Sequence, residues 1–176
     1  MFMSQATSSF SIPTKILLPT DFSPSSISAF DMAVDLAKHY RAKLHLVHII
    51  PTIPDFNGAD FFPETSVLEE QKDRIDQRLR ACQISMLAQG ADGSYTIETG
   101  NDVVGNIMRV IKRDAIDMLV ISTHGMSGWR PVVFGSITEK VIRLVQCPLL
   151  LLQTPKPVEG STESCLEVWG DTFCHP

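Results

Sequence analysis

The chain has 176 residues, 44% hydrophobic and 20% charged, with a formal net charge of −5; this is one domain's worth, long enough for a substantial core. The acidic balance argues against a nucleic-acid binder, which would carry a basic face. No apolar run approaches the roughly 18 residues that a membrane-spanning helix needs.

Residues 1–14 are rich in serine but have neither a basic start nor a continuous apolar stretch. They are read as a flexible N-terminal arm rather than a signal peptide, and cytoplasmic residence is the expectation. Lys15–Pro19 (KILLP) is a predicted strand. Thr20-Asp21-Phe22-Ser23-Pro24 then turns the chain into a helix, with Ser23 as N-cap and Pro24 at the first helical position, where a missing N–H costs nothing. Ile27, Phe30, Val34 and Ala37 repeat at helical spacing towards Tyr40, with Asp31, Asp35 and Lys38 outside.

Leu44–Ile50 (LHLVHII) is the second predicted strand, stopped by Pro51 and Pro54. His48 within it reads as a satisfied packing residue. Thr52–Pro63 contains an Asn57-Gly58 turn signal and is a long loop, a candidate lid or a disordered connection. A helix is expected from about Glu64 to Gln89, with Leu68, Ile75, Leu79, Cys82 and Met86 towards the core and Gly90 closing it. Ser94–Thr99 is the third strand. Asn101 or Asp102 caps a helix carrying Val103, Ile107, Val110 and Ile111 to near Asp114.

Asp117–Leu144 organises the rest. The short apolar run Met118–Ser122 reads as a buried fourth strand, followed by a loop with Gly125, Gly128 and Gly135. Ser136 then starts an amphipathic pattern through Ile137, Val141 and Leu144, ending at Cys147-Pro148. Strand, glycine loop and helix N-terminus together form a layout that binds phosphate through backbone N–H groups and the helix dipole. An ordinary alternative stands beside it: Ser136-Ile137-Thr138-Glu139 also fits a capping box, in which serine and glutamate satisfy the helix's own donors. No Gly-Lys-Ser/Thr and no G-x-G-x-x-G is present.

Leu149–Gln153 is a fifth strand. Beyond Thr154, Pro155-Lys156-Pro157 opens a polar segment, 154–176, read as a flexible tail in which Trp169 and Phe173 are alternative anchors. Cys82 and Cys147 fall at apolar positions of predicted helices and are expected to be buried thiols. Cys165 and Cys174, with His175, show no zinc spacing and are read as plain thiols. No metal site is assigned.

Strand and helix alternate four times before a closing strand, which predicts an α/β fold with a parallel sheet and helices on both faces. Ligands of such sheets bind beyond the carboxyl ends of strands, where the strand order reverses. If strands one and four are neighbours, the loops Pro19–Ser23 and Ser122–Ser136 face each other across one crevice.

Over residues 15–153 the chain resembles the universal stress protein family. LLPTDFS at Leu17–Ser23, LVHI at Leu46–Ile49 and STHGMSGWRPVVFGSITEKVI at Ser122–Ile142 carry the likeness. The family's nucleotide-binding branch shows Gly-x2-Gly-x9-Gly-Ser/Thr; Gly125, Gly135 and Ser136 match it, and Ser122 replaces the first glycine. The resemblance implies a doubly wound five-stranded sheet of order 3-2-1-4-5 that binds ATP between strands one and four, with Mg2+ as a candidate companion ion. Gly125, Gly135 and Ser136 would hold phosphates. Pro19, Thr20 and Asp21 would line the nucleoside side or contact magnesium, Ile49 would meet adenine through its backbone, and Ser122, Thr123, His124, Gly128 and Ile137 would border the site. The residues themselves leave other roles open: an Asx-type turn bond for Asp21, a core position for Ile49 and a positional role for His124. Arg130 is a loop cation within reach of a terminal phosphate, or simply solvated. The resemblance also implies a homodimer through Leu149–Leu152, an apolar edge strand. The functional expectation is a nucleotide-dependent signalling module with unidentified regulatory protein partners. No catalytic residue is assigned, since no general base, Walker lysine or arginine finger is evident, and hydrolysis would at most be slow. The alternative is a nucleotide-free dimeric interaction protein of the same fold.

Overall fold

A computed structural model describes residues 11–51, 65–123 and 135–153. The long loop 52–63, the residues His124, Gly125, Gly128 and Arg130, the arm's first ten residues and the tail beyond Gln153 lie outside the described residues. The elements run β1 (Lys15–Pro19), α1 (Pro24–Tyr40), β2 (Lys43–Ile50), α2 (Thr65–Ala88), β3 (Gly93–Thr99), α3 (Val103–Arg113), β4 (Met118–Ser122), α4 (Ser136–Leu144) and β5 (Leu149–Leu152).

The five strands form one parallel sheet of order β3-β2-β1-β4-β5. Alternation along β1 divides the core in two, as a sheet covered on both faces requires. Ile16 and Leu18 pack with Leu44, Leu46 and Val120 under α1 and α2, which contribute Phe30, Val34, Leu79 and Met86. Leu17 points the other way, with Val47, Ile49, Leu119 and Ile121, under Ile107 and Val110 of α3 and Val141 of α4.

The starts of α1 and α3 follow the expected chemistry. Ser23 caps α1 by accepting from Ser26 N at 3.3 Å, with Pro24 at the head of the helix. Asp102 caps α3 by accepting from Gly105 N at 2.9 Å. The expected α4 is corrected in two ways. It ends at Leu144, so Cys147 lies beyond it and is half-buried. Its buried positions are Thr138 and Val141, while Ile137 and Leu144 are 41% and 56% exposed, because this nine-residue helix meets the sheet along a narrow stripe. On α2, Cys82 is buried as expected and its thiol is pushed up to about 12 by desolvation, which leaves it inert. Leu68 and Ile75 are only half-buried.

Gly93 shows a close approach that forbids a side chain. A Cβ there would stand 2.3 Å from the Leu44 carbonyl oxygen and 2.5 Å from Met86 Sδ, both held by the sheet and the core. Gly93→Ala is therefore expected to destabilise the fold by about 1–3 kcal/mol through overpacking. Chemical denaturation checks this, and an unchanged midpoint would show that β3 can shift freely.

Candidate functional site

The cavity arises where β1 and β4 part. Their ladder joins Ile16 to Met118 and Leu17 to Leu119, whereas β1 pairs with β2 over five residues. At the start of the pair, the Asp117 carboxylate accepts from Thr14 N, Thr14 Oγ1 and Lys15 N at 2.6–3.0 Å, binding the strands at that end. Past the ladder, α1 leaves from β1 and α4 approaches from beyond β4. Between them lies a cavity of about 510 Å3.

Eight of the residues singled out from the sequence line it: Pro19, Thr20, Asp21, Ile49, Ser122, Gly135, Ser136 and Ile137. Thr123 does not. It is 2% exposed and ties the strand end together, its N–H donating to Leu152 O at 2.9 Å and its carbonyl accepting from Gly135 N at 3.1 Å. Residues missed by sequence reasoning complete the wall: Ser26, His48, Pro51, Val103, Ile107, Ile121 and Thr138. The sequence marks His48, Val103, Ile107 and Ile121 as packing positions, Pro51 as punctuation and Thr138 as part of a capping box, and none of them as a wall residue. These became wall residues through the way α1, α3 and α4 converge on the strand ends, which no local pattern encodes.

The α4 terminus settles the choice between cap and open end. Gly135, not Ser136, is the N-cap, and among the described residues no side chain caps the helix. The capping box is thus overturned: Ser136 is the first helical residue, one position too late to cap. Gly135 N bonds to Thr123 O, and the helix's own first bond is Glu139 N to Gly135 O, at 3.0 Å. The N–H groups of residues 136–138 therefore belong to the orphan donors of the first turn, at the cavity wall. Thr138 Oγ1 donates to Ser122 O at 3.1 Å and fixes the helix against β4. Ser122 ends a strand and is not among the residues with positive φ, so serine sits there without backbone strain.

The β1–α1 turn is held by its own polar side chains. Asp21 Oδ1 accepts from Ser23 N at 3.0 Å, the expected Asx turn, and Thr20 Oγ1 accepts from Phe22 N at 3.1 Å. Asp21 is nonetheless exposed at the cavity, so the turn bond and a ligand role are compatible. His48 donates from Nδ1 to Thr20 O at 2.8 Å, which bears out the satisfied histidine; since a carbonyl only accepts, Nδ1 carries the proton.

Comparisons with known proteins point the same way. The profile of the universal stress protein family matches residues 13–153. The chain belongs to the universal stress protein family. A universal stress protein of Bacillus subtilis, YxiE, is 26% identical over 145 residues, spanning 79% of this chain and 98% of that one. The solved structure of the universal stress protein UspA from Lactobacillus plantarum superposes with a TM-score of 0.71 at 23% identity, covering 79% of this chain and 97% of that one. A universal stress protein solved in complex with cAMP gives a TM-score of 0.58 at 23% identity, over 81% and 98% of the two chains. These two likenesses establish the shared fold.

Two imidazoles of this universal stress protein make its stability depend on pH. His45 is held below its ordinary value of 6.5 chiefly by burial, with Asp114 and Glu98 pulling upward and Arg113 downward. His48 is lowered chiefly by burial, with the Thr20 carbonyl and Asp21 pulling upward and Arg78 adding the smallest, downward effect. A folded-state pKa below the unfolded one means that the unfolded chain takes up protons first as pH falls. The contribution is intact above about 6.5 and is lost as pH falls through the folded values. The thermal midpoint is expected to fall between pH 7.5 and 5.5, and His45→Gln to reduce that fall. A midpoint that holds level or rises would contradict both assignments.

Proposed function

We propose that this universal stress protein binds an adenine nucleotide, ATP in the first instance, in the crevice between β1 and β4, and acts as a nucleotide-dependent regulatory module. The observation that carries the reading is the uncapped start of α4 at the wall of a cavity of about 510 Å3. A volume of that order is typical of small-molecule sites. One part of the wall is apolar, with Ile49, Pro51, Val103, Ile107 and Ile121 suited to a base. Another offers Ser122, Ser136 and the first N–H groups of α4, suited to phosphate oxygens. The solved relative that holds cAMP supports the choice of adenine. Gly125 is assigned to the phosphates by its place in the motif, with His124 and Gly128 bordering the site.

The residues also fit a magnesium ion carried in by the nucleotide. Mg2+ in such sites keeps several waters and takes one or two carboxylates besides the phosphates. Asp21, exposed at the cavity, supplies one carboxylate, and among the described residues no cluster of three or more ligands forms a metal cage of its own. Among the described residues of the wall, His48 and Asp21 both help to hold the β1–α1 turn, His48 by donating from Nδ1 to Thr20 O and Asp21 by accepting from Ser23 N at Oδ1. The reading is therefore a binding and signalling role with slow hydrolysis at most. Assembly as a homodimer through β5 accords with four half-buried leucines on the sheet's last strand.

Gly135→Val tests the site. The backbone there has φ −56°, and among the described residues a Cβ would meet only Thr123 O at 3.6 Å and Thr138 Oγ1 at 4.0 Å, so the variant is expected to fold. Calorimetric titration with MgATP should show the affinity reduced at least tenfold, because a branched side chain enters the anion's approach. Wild-type protein at a hundredfold excess of MgATP over its dissociation constant should gain about 2.7 kcal/mol of stability, visible as a thermal shift absent with GTP. Asp21→Ala should weaken MgATP more than ATP in EDTA. Unchanged affinity in a folded Gly135→Val protein would remove the phosphate role of this helix terminus.

A further inference from the structure

One residue beside the cavity is held in a conformation that its side chain disfavours. Phe22 has φ +60°, in the left-handed region that bulky residues rarely enter. Such outliers persist only where the surroundings over-determine them. Here the surroundings are visible. The Phe22 ring is 8% exposed and stacks on the His48 imidazole, with centroids 4.9 Å apart and planes 26° from parallel. Arg78 Cζ of α2 stands 4.0 Å from the same ring's centroid, a cation–π contact.

This stack closes a circuit. His48 Nδ1 donates to the carbonyl of Thr20, two residues before Phe22, while Phe22 N donates to Thr20 Oγ1 and Ser23 N to Asp21 Oδ1. The turn that carries Thr20 and Asp21 to the cavity wall is thereby fastened to β2 through His48 and to α2 through Arg78. Neither Phe22 nor Arg78 is part of the wall, and among the described residues they touch it through the turn of Thr20 and Asp21 and through His48. Bond geometry within the turn does not by itself account for the ring: a glycine would adopt the same φ without strain. The aromatic ring is what joins the turn to the two neighbouring elements.

We infer that Phe22 is the positioning residue of the nucleotide site, clamped between Arg78 and His48 so that the left-handed turn presents Thr20 and Asp21 to the bound nucleotide in one fixed geometry. This rests on the nucleotide reading above and adds a device to it: affinity is set partly from α2, by a guanidinium that does not line the cavity. A pre-fixed turn has no ordering cost at the moment of binding, so loosening it lowers affinity without removing any ligand contact.

The test uses four variants of the full chain, each measured twice: by calorimetric titration with MgATP, and by thermal midpoint without ligand. Arg78→Met keeps the aliphatic stem and loses the cation; it is expected to fold with a nearly wild-type midpoint and to weaken MgATP three- to tenfold. Arg78→Lys, which keeps a cation over the ring, should recover most of that loss. Phe22→Leu keeps apolar burial but loses the stack and should weaken binding tenfold or more, while Phe22→Tyr should bind within about twofold of wild type. If Phe22→Leu does not fold, the Arg78 pair decides. Wild-type affinity in folded Arg78→Met overturns the inference, as does a loss that Arg78→Lys and Phe22→Tyr fail to rescue. Wild-type protein that binds no nucleotide overturns the proposed function and this inference with it. Binding by wild type together with unchanged variants overturns the inference alone.

Discussion

The molecule depends on the meeting of β1 and β4 at the centre of its sheet. Each is a short, buried, apolar strand, and their parallel pairing has to be made between segments about a hundred residues apart. Asp117 holds the start of the pair by gathering the donors of Thr14 and Lys15. Burial opposes its ionisation, but the hydrogen bonds from Thr14 and Lys15 outweigh that and keep the carboxyl below its ordinary range. The two strands then diverge, because the chain order runs outward from this point in both directions. The crevice is the geometric consequence of that reversal.

Polar chemistry in the crevice is economical. Thr20 and Asp21 support the turn that displays them, and Thr138 fastens α4 to the end of β4 while its own helix start stays uncapped. Gly135 is the join between these functions. Its N–H is taken by Thr123, and its lack of a side chain leaves the following N–H groups approachable. The same terminus, with a serine one position earlier, would have satisfied itself and offered little to an anion.

The opposite end of the sheet carries a second polar network. His45 Nδ1 lies 2.8 Å from Ser94 Oγ and Nε2 lies 3.0 Å from Thr96 Oγ1, while Arg113 bridges Glu98 and Asp114 at the end of α3. This network joins edge strand β3 to α3. A histidine with hydroxyl neighbours on both ring nitrogens is satisfied in either neutral tautomer, which allows a partly buried imidazole in a sheet face.

Local chemistry determined much of this protein from its sequence. KILLP and MLVIS were legible as strands because short apolar runs bounded by polar turns have few other uses. Ser23-Pro24 and Asp102 announced α1 and α3, since an N-cap acts on donors two or three residues away. The motifs LLPTDFS and STHGMSGWRPVVFGS pointed to the family and hence to strand order and crevice. Tertiary structure alone decided the rest. It made Gly135 the cap in place of Ser136, because the Thr123 carbonyl, brought beside it by β4, sets where α4 begins. It turned Ile137 and Leu144 outward, since a helix's buried stripe depends on how it is rolled against the sheet rather than on its own periodicity. It placed Ser26, Val103, Ile107 and Ile121 on one wall, and it seated Phe22 between His48 and Arg78. Those contacts join residues that are far apart in the chain or on different elements, and only the packing of sheet against helices fixes such distances.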